Sequence, residues 1–324
     1  MLNFLSNCNA WFGKRMFYVV LVPLLLGFIA PVETTKFWTI IATLSFSYMT
    51  FAASLEIRIK DFLNRLSKPW LTLWMLLFIH GVMPAIAYLI GIIFYPDNES
   101  IRLGFLIGAA IPIGVTSLIW SSMNGGDVPL SMSAVTLDTL ISPLLLPLFI
   151  AIVVGKMIQI DMNHLLIGLF WMVTVPSLLG MLLHDYTKGT LDRYVRSIGG
   201  VTSKFALFLV IYINASAIAP EINWDYSVVK LLLVILIVSV SGYVLGYFSS
   251  YILKGHHPDR MVTMIYSVGM RNNSLGLVLA LTYFPPAVAL PITLSMLYQQ
   301  PLAAVVSQLL NRAKRKKRLE SVET

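Results

Sequence analysis

Apolar residues along this chain neither alternate with polar ones nor recur at the spacing of a half-buried helix. They run in blocks long enough for a helix to cross the ~30 Å hydrocarbon core of a bilayer, which takes ~20 residues. Ten such blocks stand out, at about 16–32, 37–55, 69–95, 101–123, 128–155, 163–184, 203–220, 226–253, 258–284 and 286–311. Short polar segments separate them. The pattern predicts an all-α integral membrane protein with ten transmembrane helices. No soluble domain, low-complexity tract or long linker interrupts the series, so residues 1–324 read as one membrane domain. The first block, "MFYVVLVPLLLGFIAP", follows Lys14 and Arg15 and has the make-up of a secretory leader. It reads as the first span, because removing it would leave an odd number of helices and spoil the charge distribution.

Composition agrees with the pattern. Hydrophobic residues make up 57% of the chain and charged residues 12%, against roughly 25% charged in a soluble domain. The net charge of +8 raises nucleic acid as a partner, but the cations sit in short segments between apolar blocks, so no nucleic acid is expected. With ten spans both termini share a side, and 18 of the 23 Lys and Arg residues fall there. They include Lys14, Arg15, Arg58, Lys60, Arg65, Lys68, Lys188, Lys204, Lys254 and the basic tail 312–324. Lys36, Arg102, Lys156 and Lys230 fall opposite, and Arg271 lies inside a span. The positive-inside rule then predicts a multi-pass protein of the cell membrane with both termini in the cytoplasm. The single cysteine, Cys8, excludes an internal disulfide and a thiolate metal site.

Ten spans divide into halves at about 16–157 and 158–312, and five helices per half make the halves antiparallel, an inverted repeat. The fourth block breaks at "AAIPIGVTS" and the ninth at "YSVGMRNNS", at matching places. Pro112 removes a helix hydrogen bond and clashes with the preceding turn. Gly269, Asn272 and Asn273 favour a break in the ninth. Freed backbone groups at mid-membrane are tolerated only where they face protein or a polar cavity, and paired broken helices point to a transport site. The bland alternative is a pair of kinks that aid packing.

Polar residues fall on helical stripes. Ser131, Asp138 and Ser142 share one in the fifth block; Ser117, Ser121 and Asn124 share one in the fourth; Ser267, Arg271 and Ser274 repeat the spacing in the ninth. Asp138 and Arg271 are the charged residues placed deep in spans, each at a cost of ~3 kcal/mol or more. Either they form a structural ion pair or they mark a substrate-anion site or proton relay. As a pair, they predict that Asp138→Asn harms folding more than Arg271→Gln, because a stranded arginine keeps its charge. His80, four residues before Pro84, is the remaining intramembrane ionisable group, as a neutral hydrogen-bonded side chain or a proton relay.

At these residues the chain resembles the bile acid:sodium symporter family, in its bacterial-type ten-helix branch. "YMTFAASLEIRIKDF", "PIGVTSLIWSSMNGGDVPLSMSAVTLDTLISPLLLP" and "SVGMRNNSLGLVLALTYF" are similar to that family's motifs, and the resemblance covers nearly the whole chain. It implies a panel domain and a core domain, with discontinuous helices 4 and 9 crossing at their breaks, and transport of organic anions with sodium. The family's sodium ligands carry over only in part. Ser117 matches a ligand but Leu118 replaces the Asn beside it, and Ser131 matches while Val135 replaces a Thr. Ser267 stands at the usual Glu and Arg271 at the usual Gln. Ser117, Ser131, Ser267 and the carbonyls of Val268 and Met270 are thus the remnants of a sodium site. A guanidinium has arrived where a cation would sit.

The reading that follows is a secondary active transporter of a small organic anion. It is symporter-like by family, but sodium-independent or proton-coupled, with Arg271 as a tethered substitute for sodium. Arg271, Asp138, Asn272, Asn273, Thr116, Ser117 and His80 are its candidate substrate and coupling residues. An alternative keeps sodium coupling through a rebuilt site. Alternatives of another class are a channel or a sensor. No HExxH, GxSxG or metal cluster speaks for an enzyme, and no cofactor is expected apart from a transported Na+.

Overall fold

A computed structural model of the chain describes residues 2–60, 70–153, 161–222, 225–251 and 257–323. Helix occupies every predicted block. In chain order the helices are α1 (Leu2–Lys14), α2 (Met16–Ile29), α3 (Lys36–Ser54), α4 (Trp70–Phe94), α5 (Glu99–Ala110), α6 (Val115–Met123) and α7 (Val128–Val153). There follow α8 (Asn163–Thr187), α9 (Asp192–Glu221), α10 (Tyr226–Tyr251), α11 (Pro258–Gly269), α12 (Asn273–Tyr283) and α13 (Pro286–Glu323). Among the described residues there is no strand, and six of these helices are long and apolar enough to cross a membrane on their own: α3, α4, α8, α9, α10 and α13. The boundary between the expected repeats near residue 158, and the charges of Arg65, Lys68, Lys156 and Lys254, lie outside the described residues.

Two elements depart from the sequence reading. Helix α1 was not expected at all; it meets α2 at a bend of 74°. Helix α9 starts at Asp192, well before the expected position 203, so Lys204 lies several turns inside a helix. Early in α9, Val195–Gly199 takes the wider π-helical turn.

The helices pack in two groups. In one, α9 packs on α2 and α3, and α3 packs on α8. In the other, α4 packs on α5, α10 on α11, and α13 on α5 and α12. The groups meet where α9 touches α12 and α13 and where α3 touches α12. Burial of Leu24, Val210, Ile211 and Ala215 fixes α9 on α2. Close approach of α10 to α11 needs Gly246, where a Cβ would sit 2.6 Å from the Met264 carbonyl oxygen. Large apolar side chains such as Ile29, Leu44, Ile93 and Leu182 point outward and stay exposed. A water-soluble surface would not carry so many, whereas lipid favours them.

The breaks have separate local causes. Ile111 precedes Pro112 and is extended, at φ −63° and ψ 153°, as steric clash with the proline ring requires. Helix α6 then begins at Val115. In the second break Met270 is extended at φ −118° and ψ 127°. Asn272 caps α12, its Oδ1 accepting the Leu275 N–H at 3.3 Å. An asparagine in that position satisfies an N–H that a helix start leaves orphaned.

Candidate functional site

The two breaks bind each other. Ile113 and Arg271 form an isolated antiparallel bridge. Gly114 N–H donates to Met270 O at 3.2 Å, and Asn272 N–H donates to Pro112 O at 2.8 Å. Backbone groups released from four half-helices are thereby paired across the crossing, which an apolar surrounding demands. Gly114 is required there, because a Cβ would lie 2.8 Å from the Arg271 carbonyl oxygen. Gln299 of α13 braces the same point: its Nε2 donates to Arg271 O at 2.8 Å and its Oε1 accepts Asn273 Nδ2 at 2.7 Å.

Arg271 is buried, 8% exposed, and its guanidinium donates to three backbone carbonyls. Nε reaches Ala109 O at 2.9 Å, Nη1 reaches Ser267 O at 3.3 Å, and Nη2 reaches Ile79 O at 3.3 Å. Each of these oxygens has lost its helical donor. Ala109 sits in the last turn of α5, and the amide four residues on, Ile113 N–H, is used elsewhere. Ser267 sits in the last turn of α11. In α4 the stretch Phe78–Val82 is π-helical, and Met83 N–H donates five residues back to Phe78 O. On that spacing the donor for Ile79 O would be residue 84, a proline with no N–H. Arg271 therefore caps the carbonyl ends of both broken helices and a hole in a third. Helix C-termini carry partial negative charge and attract cations, and a planar guanidinium with five donors can serve several oxygens at once.

Asp138 does not pair with Arg271. It is fully buried, and among the described residues its ion-pair partner is His80, through Oδ1 and the imidazole Nε2. Its Oδ2 accepts the Ile113 N–H at 2.6 Å, and Ser142 Oγ donates to its backbone oxygen at 2.5 Å. The expected direct pair is thus replaced by an indirect one. Ile113 links Asp138 to the crossing, and the neighbours Ile79 and His80 hold Arg271 and Asp138 respectively. The physical reason is that three orphaned carbonyls lie closer to hand for the guanidinium than a carboxylate already engaged.

The expected sodium-site remnants fare unevenly. The hydroxyls of Ser117, Ser131 and Ser267 are fully buried and have no hydrogen-bond partner among the described residues. They stand on α6, α7 and α11, three helices in mutual contact. Met270 O is taken by Gly114 N–H. Val268 is buried in the last turn of α11. Three neutral hydroxyls make a weak set for Na+, which would find no carboxylate among them, yet buried polar atoms without partners call for water or a cation.

Two cavities border the crossing. The larger holds about 2030 Å³ of open space between the two helix groups. It runs from Thr116, Arg271, Asn272 and Asn273 to the end of the molecule that carries Asn9, Glu56, Arg196 and Lys204. Its walls are apolar, with Phe46, Met49, Met132 and Met181 among them. The smaller, about 590 Å³, is lined by Gly104, Gly108, Ser239 and Tyr243. Arg271, Asn273 and Gln299 line both, so the crossing borders each cavity.

A helical protein with paired broken helices bordering two cavities invites comparison with known transporters. The model of the sodium bile acid symporter family matches residues 43–223. The chain is 34% identical over 276 residues to the Bacillus subtilis (strain 168) protein YbaS, covering 85% of this chain and 90% of that one. The chain belongs to the sodium bile acid symporter family. Within it, the chain is 24% identical to the sodium-dependent transporter YocS of the same bacterium, over 86% of this chain and 85% of YocS. It is 25% identical to the human ileal sodium/bile acid cotransporter, over 80% of this chain and 74% of that protein. The family is one of membrane transporters, not enzymes.

As a member of the sodium bile acid symporter family, the chain brings Arg271, Asn272, Asn273, Thr116 and Ser117 together at the crossing, with His80 and Asp138 one layer behind. The sequence reading did not find Gln299, Asn9 or Lys204, which line the larger cavity. Gln299 and Gln300, two amides inside an apolar block, were the available signal for the first. For Asn9 there was none, because α1 was unforeseen.

Proposed function

We propose that the chain carries small organic anions across the cell membrane by alternating access without sodium, using Arg271 as a built-in cation. Its ten helical blocks would form two inverted five-helix repeats with both termini in the cytoplasm. The observation that carries this reading is the capping of Ala109 O, Ser267 O and Ile79 O by one guanidinium. Carbonyls at the ends of broken helices are what transporters of this architecture offer to a coupling ion, and here they are already spent. The coupling ion would be a proton held by His80 and Asp138. That pair is buried and faces Ser142 on its own helix, the Ile113 amide at the crossing, and the field of Arg271 nearby. Uptake of labelled organic acids into proteoliposomes tests both halves. Replacing sodium by choline should change saturable uptake by less than about twofold, a difference well under 1 kcal/mol, while an acidic exterior should accelerate it. Steep sodium dependence would sink the proposal. Uptake that never saturates would instead favour a channel, and binding without uptake a sensor.

A second reading has its own support. The partnerless hydroxyls of Ser117, Ser131 and Ser267 favour a rebuilt sodium site, and YocS is a sodium-dependent transporter by name. On that reading Ser131→Ala would abolish sodium-stimulated uptake and leave proton-driven uptake untouched.

A further inference from the structure

Among the described residues the larger cavity has three cationic side chains in its lining, Arg196, Lys204 and Arg271, against one carboxylate, Glu56. Two of the three cations are committed. Arg271 lines the cavity at the crossing but gives Nε, Nη1 and Nη2 to backbone carbonyls and is 8% exposed. Arg196 Nε lies 3.5 Å from Glu56 Oε1. Lys204 is different. Among the described residues no carboxylate lies within ion-pair distance of it. Its Nζ donates to Asn9 Oδ1 and, at 3.2 Å, to Gly200 O, both neutral. An ammonium has three donors, so one is left over and the full charge is uncompensated. Asn9 is itself fixed, its Nδ2 donating to Arg196 O at 2.8 Å. Helix α1 thus holds a lysine in place in the lining of an apolar cavity.

We propose that Lys204, oriented by Asn9, reads the charge of the transported anion. The ligand class is an organic monoanion with an apolar body. Its carboxylate meets Lys204, its body lies along Phe46, Met49 and Met181, and a hydroxyl or amide at its far end meets Thr116 and Asn272. The inference rests on the transporter reading of the cavity and moves anion recognition away from Arg271, where the sequence placed it.

The test is binding to the detergent-solubilised full chain, measured calorimetrically with 4-phenylbutanoate and its uncharged amide as probes. The wild-type chain should prefer the acid. Lys204→Met should weaken the acid by ~10- to 100-fold, the range of a charge-assisted hydrogen bond, and leave the amide unchanged. Lys204→Arg should keep the acid within about tenfold, and Asn9→Ala should weaken it less than Lys204→Met does. A wild-type chain that does not discriminate acid from amide overturns the proposal. So does a Lys204→Met chain that keeps its acid affinity or loses both probes equally. Saturable uptake indifferent to Lys204→Met would sink this subsite and leave the transporter reading standing. Lys204-dependent binding without any uptake would do the reverse.

Discussion

Arg271 was visible in the sequence as a cation out of place, but its partners were not. Backbone carbonyls have no letter in a sequence, so a guanidinium in the ninth block and a carboxylate in the fifth, each deep in a span, looked like a pair. The observed bonds reverse the expected order of damage. Arg271→Gln strands the carbonyls of Ile79, Ala109 and Ser267, at ~1–3 kcal/mol for each buried group left unpaired. Asp138→Asn keeps an oxygen for the Ile113 amide and does not disturb those carbonyls. Thermal midpoints of the solubilised variants should therefore fall further for Arg271→Gln than for Asp138→Asn; the opposite order would restore the direct pair. A second residue makes a pH prediction. Glu56, just past α3, has its carboxyl raised above the ordinary value of 4.5, chiefly by burial and against the pull of Arg196. A raised acid holds its proton better folded than unfolded, so its share of stability is greatest below pH 4.5 and declines as pH rises above it. Glu56→Gln should flatten that decline and leave the midpoint at neutral pH unchanged or higher.

At the scale of elements, the breaks were the most legible feature because their causes are local. Pro112 dictates an extended Ile111 whatever surrounds it, and Asn272 is a helix cap by chemistry. What the breaks do for one another was not legible, since the bridge between Ile113 and Arg271 joins residues far apart in the chain. The π turn in α4 lies between: Pro84 announced a missing N–H, but not that the wider turn would move the orphan from His80 O to Ile79 O. Helix α1 escaped notice because it is polar on one side and too short to span. Glycine spacing was equally silent about α10 and α11, which meet at Gly246. There Gly246→Val should force the helices apart against the Met264 carbonyl, costing ~1–3 kcal/mol or more as overpacking does. The measurement is the thermal midpoint, with Leu233→Val, at an exposed position of the same helix, as a control that should change little.

For the whole molecule, apolar blocks and loop charges carry a topology that contacts alone do not report. Reporter fusions after Arg260 and after Arg318 should read cytoplasmic, and one within "YPDNES" external; an external C-terminus would overturn the ten-span count and the inverted repeat together. The arginine that closes the crossing has one more consequence for the molecule as a machine. A dissociable ion lends its gradient to a carrier because it boards on one side and leaves on the other. A guanidinium never leaves, so it cannot do work over a cycle, however well it fills the seat. A monovalent anion travelling alone would then face the membrane voltage unaided and be driven out of a cell with a negative interior, by about 2.3 kcal/mol per 100 mV. One proton on His80 and Asp138, carried with each anion, would make the journey electrically silent, and its own gradient would set the direction.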